Sequence, residues 1–184
     1  MRALVMDDPA ALAQSLSELK GRLIMFDGYP LAGKTTLVRD MAERLKCKGI
    51  DADDFLDRRR GSYVDALRFD ELERKIRALT GNSQLALVAS VCARAVAARL
   101  RVPDVNFVYV QRYNRPNFCS APDTVNGTED ESSGVEKAGD EFGLYREVRE
   151  YHKQFRPRCH ADFIFMTAAV VAVPIGTGWE RFFH

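Results

Sequence analysis

The feature that most constrains this chain is a glycine-rich segment between a short apolar run and an amphipathic pattern. The segment reads GYPLAGKT from Gly28 to Thr35, which is the spacing of a Walker A loop. Residues 22–27 before it form an apolar run of the kind seen in buried parallel strands. After it, apolar residues recur on one helical face at Leu37, Val38, Met41 and Leu45. A strand, a glycine turn and a helix in this order predict a phosphate-binding loop.

The chemistry expected of this loop follows from its residue types. Its glycines let the backbone turn around a phosphate, while successive N–H groups and the helix N-terminus present partial positive charge. Lys34 is expected to reach the β- and γ-phosphates of ATP, and Thr35 to offer its hydroxyl to Mg²⁺. The residues predicted to bind the nucleotide are Gly28, Ala32, Gly33, Lys34, Thr35 and Thr36.

Strand and helix patterns alternate through most of the chain. Strands are predicted at residues 22–27, 50–52, 84–89, 105–110 and 161–167. Asp8 before Pro9 predicts the start of an opening helix, and Asp70 with Glu73 predicts a capping pair for a later one. The alternation favours an α/β fold of the P-loop NTPase type, with a doubly wound parallel sheet of five strands flanked by helices. We expect one domain over residues 1–184.

The pattern fails in residues 113–140, where Asn, Pro, Ser, Gly, Asp and Glu dominate. A loop of this length inside a compact domain is uncommon and needs a reason. Two compatible interpretations are a disordered insertion and a lid that orders over bound nucleotide.

Charge and composition exclude some classes of function. With 27 basic and 26 acidic residues the formal net charge is +1, so no overall field favours nucleic acid or an anionic membrane. The most apolar stretch, residues 163–175, is too short for a membrane helix. Four dispersed cysteines and the lack of a secretory leader pattern predict a cytoplasmic protein with reduced thiols. The basic run Arg58–Arg60 is either a solvated loop or a clamp for an anionic substrate.

Three carboxylates follow the second predicted strand, at Asp51, Asp53 and Asp54. A carboxylate at the carboxyl end of such a strand can accept the proton of an attacking hydroxyl. The chain lacks the suitably placed Asp-x-x-Gly and Asn-Lys-x-Asp segments that GTPases need. A small-molecule kinase is therefore the favoured class, with a regulatory nucleotide-binding protein as the alternative.

The chain resembles the uridine kinase and phosphoribulokinase-like group of P-loop kinases. The matching residues are Phe26-Asp27-Gly28 with Gly33 to Thr36, Asp53 to Leu56, and Tyr151-His152 to Pro157 with Ala161-Asp162. The resemblance implies Asp53 as general base and, with Thr35, as a residue for Mg²⁺. It also implies Arg112 and Arg115 as lid residues that clamp the transferring phosphate, and a small-molecule hydroxyl acceptor.

One departure from the group concerns the end of the third predicted strand. Relatives carry an acid there that holds the magnesium waters, whereas this chain has Ala89 and Ser90. Either Asp27, Asp51 or Asp53 orders those waters, or phosphate transfer is weakened and the protein binds nucleotide for another purpose.

Overall fold

Strands and helices alternate in the computed structural model, which describes residues 3–57, 61–81, 84–102, 104–112 and 143–167. The strands are β1 (Leu4–Met6), β2 (Leu23–Asp27), β3 (Lys48–Asp51), β4 (Ala86–Ala89), β5 (Val105–Arg112) and β6 (Phe163–Thr167). The helices are α1 (Pro9–Ser17), α2 (Lys34–Arg44), α3 (Tyr63–Ala66), α4 (Phe69–Thr80), α5 (Ala93–Leu100) and α6 (Leu144–Phe155), and a 3₁₀ turn covers Ala52–Phe55.

The six strands form one parallel sheet in the order β1-β6-β5-β2-β4-β3. β2 lies between β5 and β4, so the loop after β2 opens where the strand order reverses, which is where ligands bind in such sheets. The predicted parallel α/β fold is confirmed. The predicted count of five strands is wrong, because β1 adds a sixth strand beside β6. With three residues, and with Leu4 and Val5 mostly exposed, β1 lacks the pattern of a buried strand.

Two apolar clusters cover opposite faces of the sheet, and alternate residues of β2 belong to different clusters. Leu23 and Met25 contact the cluster that includes residues of α4, α5 and α6. Ile24 and Phe26 contact the cluster that includes residues of α1 and α2. Because both faces are buried, β2 is apolar from Leu23 to Phe26 instead of alternating, as the sequence indicates.

The predicted cap of α1 is confirmed, whereas the predicted cap of α4 is wrong. Asp8 caps α1 by accepting the Ala10 N–H at 2.9 Å. The predicted capping pair of Asp70 and Glu73 is wrong, because α4 begins at Phe69 and its cap makes no side-chain bond. Glu73 instead accepts from the Arg77 guanidinium one turn later, at 2.8 Å.

Some predictions concern residues that the structure does not describe. The lid at residues 113–140, and Arg115 within it, lie outside the described residues, as do Arg58–Arg60. The single domain likewise stays a prediction. Within the described ranges, no helix is both long and apolar enough to cross a membrane.

Candidate functional site

The glycine-rich loop leaves β2 through a conformation that only glycine tolerates. Gly28 has a φ of +137°, and a Cβ added there would stand 2.4 Å from the Val110 carbonyl oxygen. Gly33, with a φ of +94°, precedes the first residue of α2. Side chains at these two positions would therefore strain the loop. The first and last glycines of the motif are required by the backbone, as a phosphate-cradling loop requires.

Lys34 points its ammonium back into the loop. The side chain is buried, and its Nζ donates to the carbonyl oxygens of Gly28 at 2.9 Å and Tyr29 at 2.7 Å. Burial lowers the pKa of Lys34 to about 8, although the charges of Asp27 and Asp53 oppose this shift. The loop thus encloses an ammonium whose partners are neutral carbonyls, and an anionic phosphate would be a stronger partner.

The other predicted nucleotide-binding residues lie around this ammonium. Thr35 donates its hydroxyl to Asp51 Oδ2 at 2.6 Å, which joins the start of α2 to the end of β3. Ala32 is buried, and its carbonyl accepts from the Thr167 hydroxyl at 3.1 Å. Thr36 is exposed at the start of α2. The structure therefore gathers the predicted loop residues at the carboxyl edge of the sheet.

Asp53 lies in the 3₁₀ turn after β3 and contacts a tyrosine that the sequence did not single out. Its Oδ1 accepts from the Tyr63 hydroxyl at 2.8 Å, and that hydroxyl lies 3.3 Å from Ser90 Oγ. Loss of hydration raises the pKa of Asp53; the Tyr63 bond opposes this and the charge of Asp51 adds to it. A carboxylate with a raised pKa is a stronger base, which suits the role implied by the resemblance.

A buried network connects the loop to α6. Asp27, 1% exposed, accepts from the Gly28 N–H at 2.7 Å and from the Tyr151 hydroxyl. The Tyr151 oxygen in turn accepts from the Arg94 N–H at 3.0 Å. Burial raises the pKa of Asp27, and the Tyr151 bond lowers it. Both carboxylate oxygens of Asp27 therefore face protein donors.

The next residue of α6, His152, contacts the glycine-rich loop directly. Its ring stacks on Tyr29 with centroids 4.1 Å apart. Nδ1 lies 2.7 Å from the Val148 carbonyl and Nε2 lies 3.1 Å from the Tyr109 hydroxyl. A carbonyl can only accept, so Nδ1 carries a proton. The resemblance indicated Tyr151 and His152 as matching residues, but the sequence does not show which elements they contact.

The predicted arginine clamp is only partly described. Arg112 is the last residue of β5 and is exposed, in register with Thr167 of β6. Arg115 lies outside the described residues. The role of both arginines stays a prediction.

The position of the missing acid is occupied by small buried side chains. Ala89 ends β4 and Ser90 follows it, each 2% exposed. Ala89 lines a cavity of about 270 Å³ together with Thr35, Asp51 and Asp54. This cavity opens beside the start of α2.

The donor set at this edge fits a nucleotide polyphosphate with a hard cation. A buried ammonium, a hydroxyl and carboxylate oxygens are present, and Gly28 lets the loop leave β2 in close contact with the Val110 carbonyl of β5. No group of three or more His, Cys, Asp or Glu in the described ranges could hold a metal alone. Mg²⁺ is commonly bound through one or two carboxylates with phosphate and water oxygens, so this set suits it.

Comparison with known proteins yields structural likenesses only. No family model and no curated protein matches the chain. A possible uridine kinase from Bacillus stearothermophilus is similar with a TM-score of 0.51 and 14% identity, over 85% of this chain and 96% of that chain.

Two further kinase structures have lower TM-scores. A sugar kinase from Janibacter sp. HTCC2649 has a TM-score of 0.43 and 18% identity, over 50% of this chain and 61% of its own. Shikimate kinase from Acinetobacter baumannii has a TM-score of 0.41 and 18% identity, over 83% and 86%. The chain thus spans about three fifths of the sugar kinase. From the sheet order, the glycine-rich loop and the likeness to the possible uridine kinase, we conclude that this chain has the parallel α/β fold of P-loop proteins.

Proposed function

We propose that this protein is an ATP-dependent small-molecule kinase that transfers the γ-phosphate to a hydroxyl of a nucleoside, sugar or related metabolite. The observation that carries the proposal is the Lys34 ammonium enclosed by the glycine-rich loop, with the carboxylate of Asp53 close enough to influence its pKa. A phosphate site and a base at one edge are the parts that phosphoryl transfer requires.

Each residue has a distinct task in this proposal. Lys34 and the loop N–H groups would hold the phosphates, and Thr35 and Asp53 would hold Mg²⁺. When bound, the ion supplies positive charge that neutralises the phosphate oxygens. Asp53 takes the proton of the acceptor hydroxyl as that oxygen bonds to the γ-phosphorus and the bond to the bridging oxygen breaks. Arg112 and Arg115 would complete the charge around the transferring group.

The acceptor is the least constrained part of the proposal. The similar structure with a TM-score of 0.51 is that of a possible uridine kinase, so nucleosides come first among the acceptors to be tested. Sugars and related metabolites follow, because fold does not determine substrate.

A second candidate function is a nucleotide-binding regulatory protein with weak or lost transfer activity. It is favoured by one observation, the replacement of the expected acid at the end of β4 by Ala89 and Ser90.

The experiment that separates these functions is a panel of acceptors incubated with ATP and Mg²⁺ and scored for ADP above the no-acceptor background. A kinase gives at least one strong acceptor. ATP binding without turnover on any acceptor would favour the regulatory protein.

The phosphate site is tested by the Lys34→Ala variant in calorimetry. Removal of the enclosed ammonium should weaken ATP binding by about 10-fold or more, because a charged hydrogen bond contributes roughly 1.5–3 kcal/mol. Lys48→Ala, at an exposed lysine of β3, is the control and should bind ATP like the parent. Unchanged ATP affinity in a folded Lys34→Ala protein would contradict the phosphate site.

A further inference from the structure

We propose that Asp51 takes over the task of the missing acid on β4, and that it positions Mg²⁺ by fixing the Thr35 hydroxyl and the metal waters. The inference rests on the proposed function and assigns a positioning role that the resemblance does not give to Asp51.

The first support is the register of the sheet. Asp51 is the Cα partner of Ala89 across the parallel pair of β3 and β4. Neighbouring strands lie about 4.8 Å apart, so a carboxylate on β3 can serve nearly the same space as one on β4. Ala89 is buried and carries only a methyl group, which leaves that space to its neighbour. In this chain the acid expected at the end of β4 would thus be supplied by the neighbouring strand β3.

The second support is the bond between Asp51 and the Walker threonine. Thr35 donates its one hydroxyl hydrogen to Asp51 Oδ2 at 2.6 Å. A hydroxyl has two acceptor lone pairs besides that hydrogen, so Thr35 Oγ1 keeps its capacity to coordinate a cation. A carboxylate that orients a metal-binding group in this way typically tunes metal affinity.

The third support is that the Asp51 side chain is fixed from both oxygens. Oδ1 accepts from the Asp53 N–H at 3.1 Å and caps the 3₁₀ turn, while Oδ2 holds Thr35. The carboxylate therefore needs little reorganisation when a cation arrives.

The other nearby acids have different surroundings. Asp27 is buried, and its two oxygens accept from the Gly28 N–H and the Tyr151 hydroxyl, whereas the Thr35 hydroxyl donates to Asp51. Asp53 accepts from Tyr63, and its proposed tasks are to contact Mg²⁺ and to act as the base. Asp54 lines the same cavity as Thr35, but the Thr35 hydroxyl donates to Asp51. Asp51 is therefore the acid with a direct link to the predicted metal-binding hydroxyl.

The test measures Mg²⁺ affinity of the protein saturated with a non-hydrolysable ATP analogue, by calorimetry, without any acceptor. Asp51→Asn keeps an oxygen for the Asp53 N–H but loses the charge that holds Thr35. The apparent Mg²⁺ dissociation constant should rise about 10-fold or more, the usual effect of losing a partner of a metal-binding group. Affinity for the analogue in excess chelator should not fall.

Asp54→Asn is the matched control, because it removes the same charge from the same cavity without touching Thr35. Its Mg²⁺ affinity should stay within about 3-fold of the parent, since exposed charges interact weakly. The Thr35→Val variant lacks the hydroxyl. In that background, Asp51→Asn should change the Mg²⁺ dissociation constant little, because the effects of two residues that act through one bond are not additive. Ala89→Asp combined with Asp51→Asn should recover part of the lost affinity.

The outcomes separate this inference from the proposed function. If the parent binds Mg²⁺ with the analogue and Asp51→Asn weakens it no more than Asp54→Asn, the inference is overturned and the proposed function stands. Additive effects of Thr35→Val and Asp51→Asn would also overturn it. If the parent binds no nucleotide, the proposed function fails and the inference fails with it. The single variant Asp51→Asn decides the matter even if the buried Ala89→Asp change prevents folding.

Discussion

Asp51 and Asp53 lie two residues apart, and each is held by a different hydroxyl. Thr35 of the glycine-rich loop donates to Asp51, whereas Tyr63 of α3 donates to Asp53. The first carboxylate is thereby tied to the phosphate side of the site and the second to the segment that follows the 3₁₀ turn. From these partners we assign the positioning of the metal-binding Thr35 hydroxyl to Asp51 and the acceptance of the proton to Asp53.

The division predicts the effect of removing each charge on turnover. Asp53→Asn keeps the shape of the side chain but removes the base, so turnover of an acceptor from the panel should fall about 10²- to 10⁴-fold. Nucleotide affinity should stay close to that of the parent. Asp54→Asn should reduce turnover less, and steady-state kinetics on both variants checks this. The reverse order of the two effects would move the base to Asp54.

At the scale of elements, α6 connects two parts of the site from successive turns. Glu147 accepts the Tyr63 N–H at 2.6 Å and the Val64 N–H at 3.2 Å, at the start of α3. One turn later Tyr151 reaches Asp27. A single helix thus holds both the end of β2 and the segment that carries Tyr63.

This arrangement predicts local loosening when Glu147 is changed to Gln. Loss of the charge weakens two bonds to the first turn of α3, and a charge-assisted bond contributes roughly 1.5–3 kcal/mol. Amide exchange of residues 62–67 should become about 10-fold faster, while exchange in β2 stays unchanged. Glu150→Gln, on the same helix, is the control because Glu150 forms an exposed ion pair with Lys153, and such pairs contribute little. Equal protection of residues 62–67 in the Glu147 variant and the parent would refute the role of this cap.

At the scale of the whole molecule, patterns within short windows predict most of the architecture. The apolar run of β2 and the helical face of α2 lie next to each other in sequence, so their order and the loop between them can be predicted from the sequence. β1 is not predicted because a strand of three residues, two of them exposed, has almost no pattern, and its partner β6 lies far away in the sequence. The capping of α4 is predicted wrongly because Glu73 binds the Arg77 side chain instead of the start of the helix.

The site divides in the same way between local and distant contacts. The glycine-rich loop is a contiguous motif, and its lysine is predictable from the sequence. The bond between Thr35 and Asp51 depends on how α2 lies against β3, and the bond between Asp27 and Tyr151 joins residues 124 positions apart. Such contacts arise from packing of the sheet and helices, and no window of the sequence contains them.

The longest of these contacts predicts a measurable part of the stability of the whole fold. Tyr151→Phe keeps the ring in the core but removes a donor from Asp27, which is 1% exposed. The free energy of unfolding near neutral pH should fall by about 2 kcal/mol, because a buried carboxylate that loses a donor is not rescued by water. Tyr63→Phe is the matched comparison: the bond from Tyr63 to Asp53 is only partly buried, so water can replace part of it and the loss should be about 1 kcal/mol or less. The Tyr151 bond lowers the pKa of Asp27, so in the variant the pKa of Asp27 rises further in the folded state. The loss of unfolding free energy should therefore shrink as the pH falls and Asp27 takes up a proton in the parent.

Urea denaturation of both variants at neutral and mildly acid pH measures these quantities. Equal losses at neutral pH would mean that the buried link between β2 and α6 contributes no more than the partly buried pair of Tyr63 and Asp53.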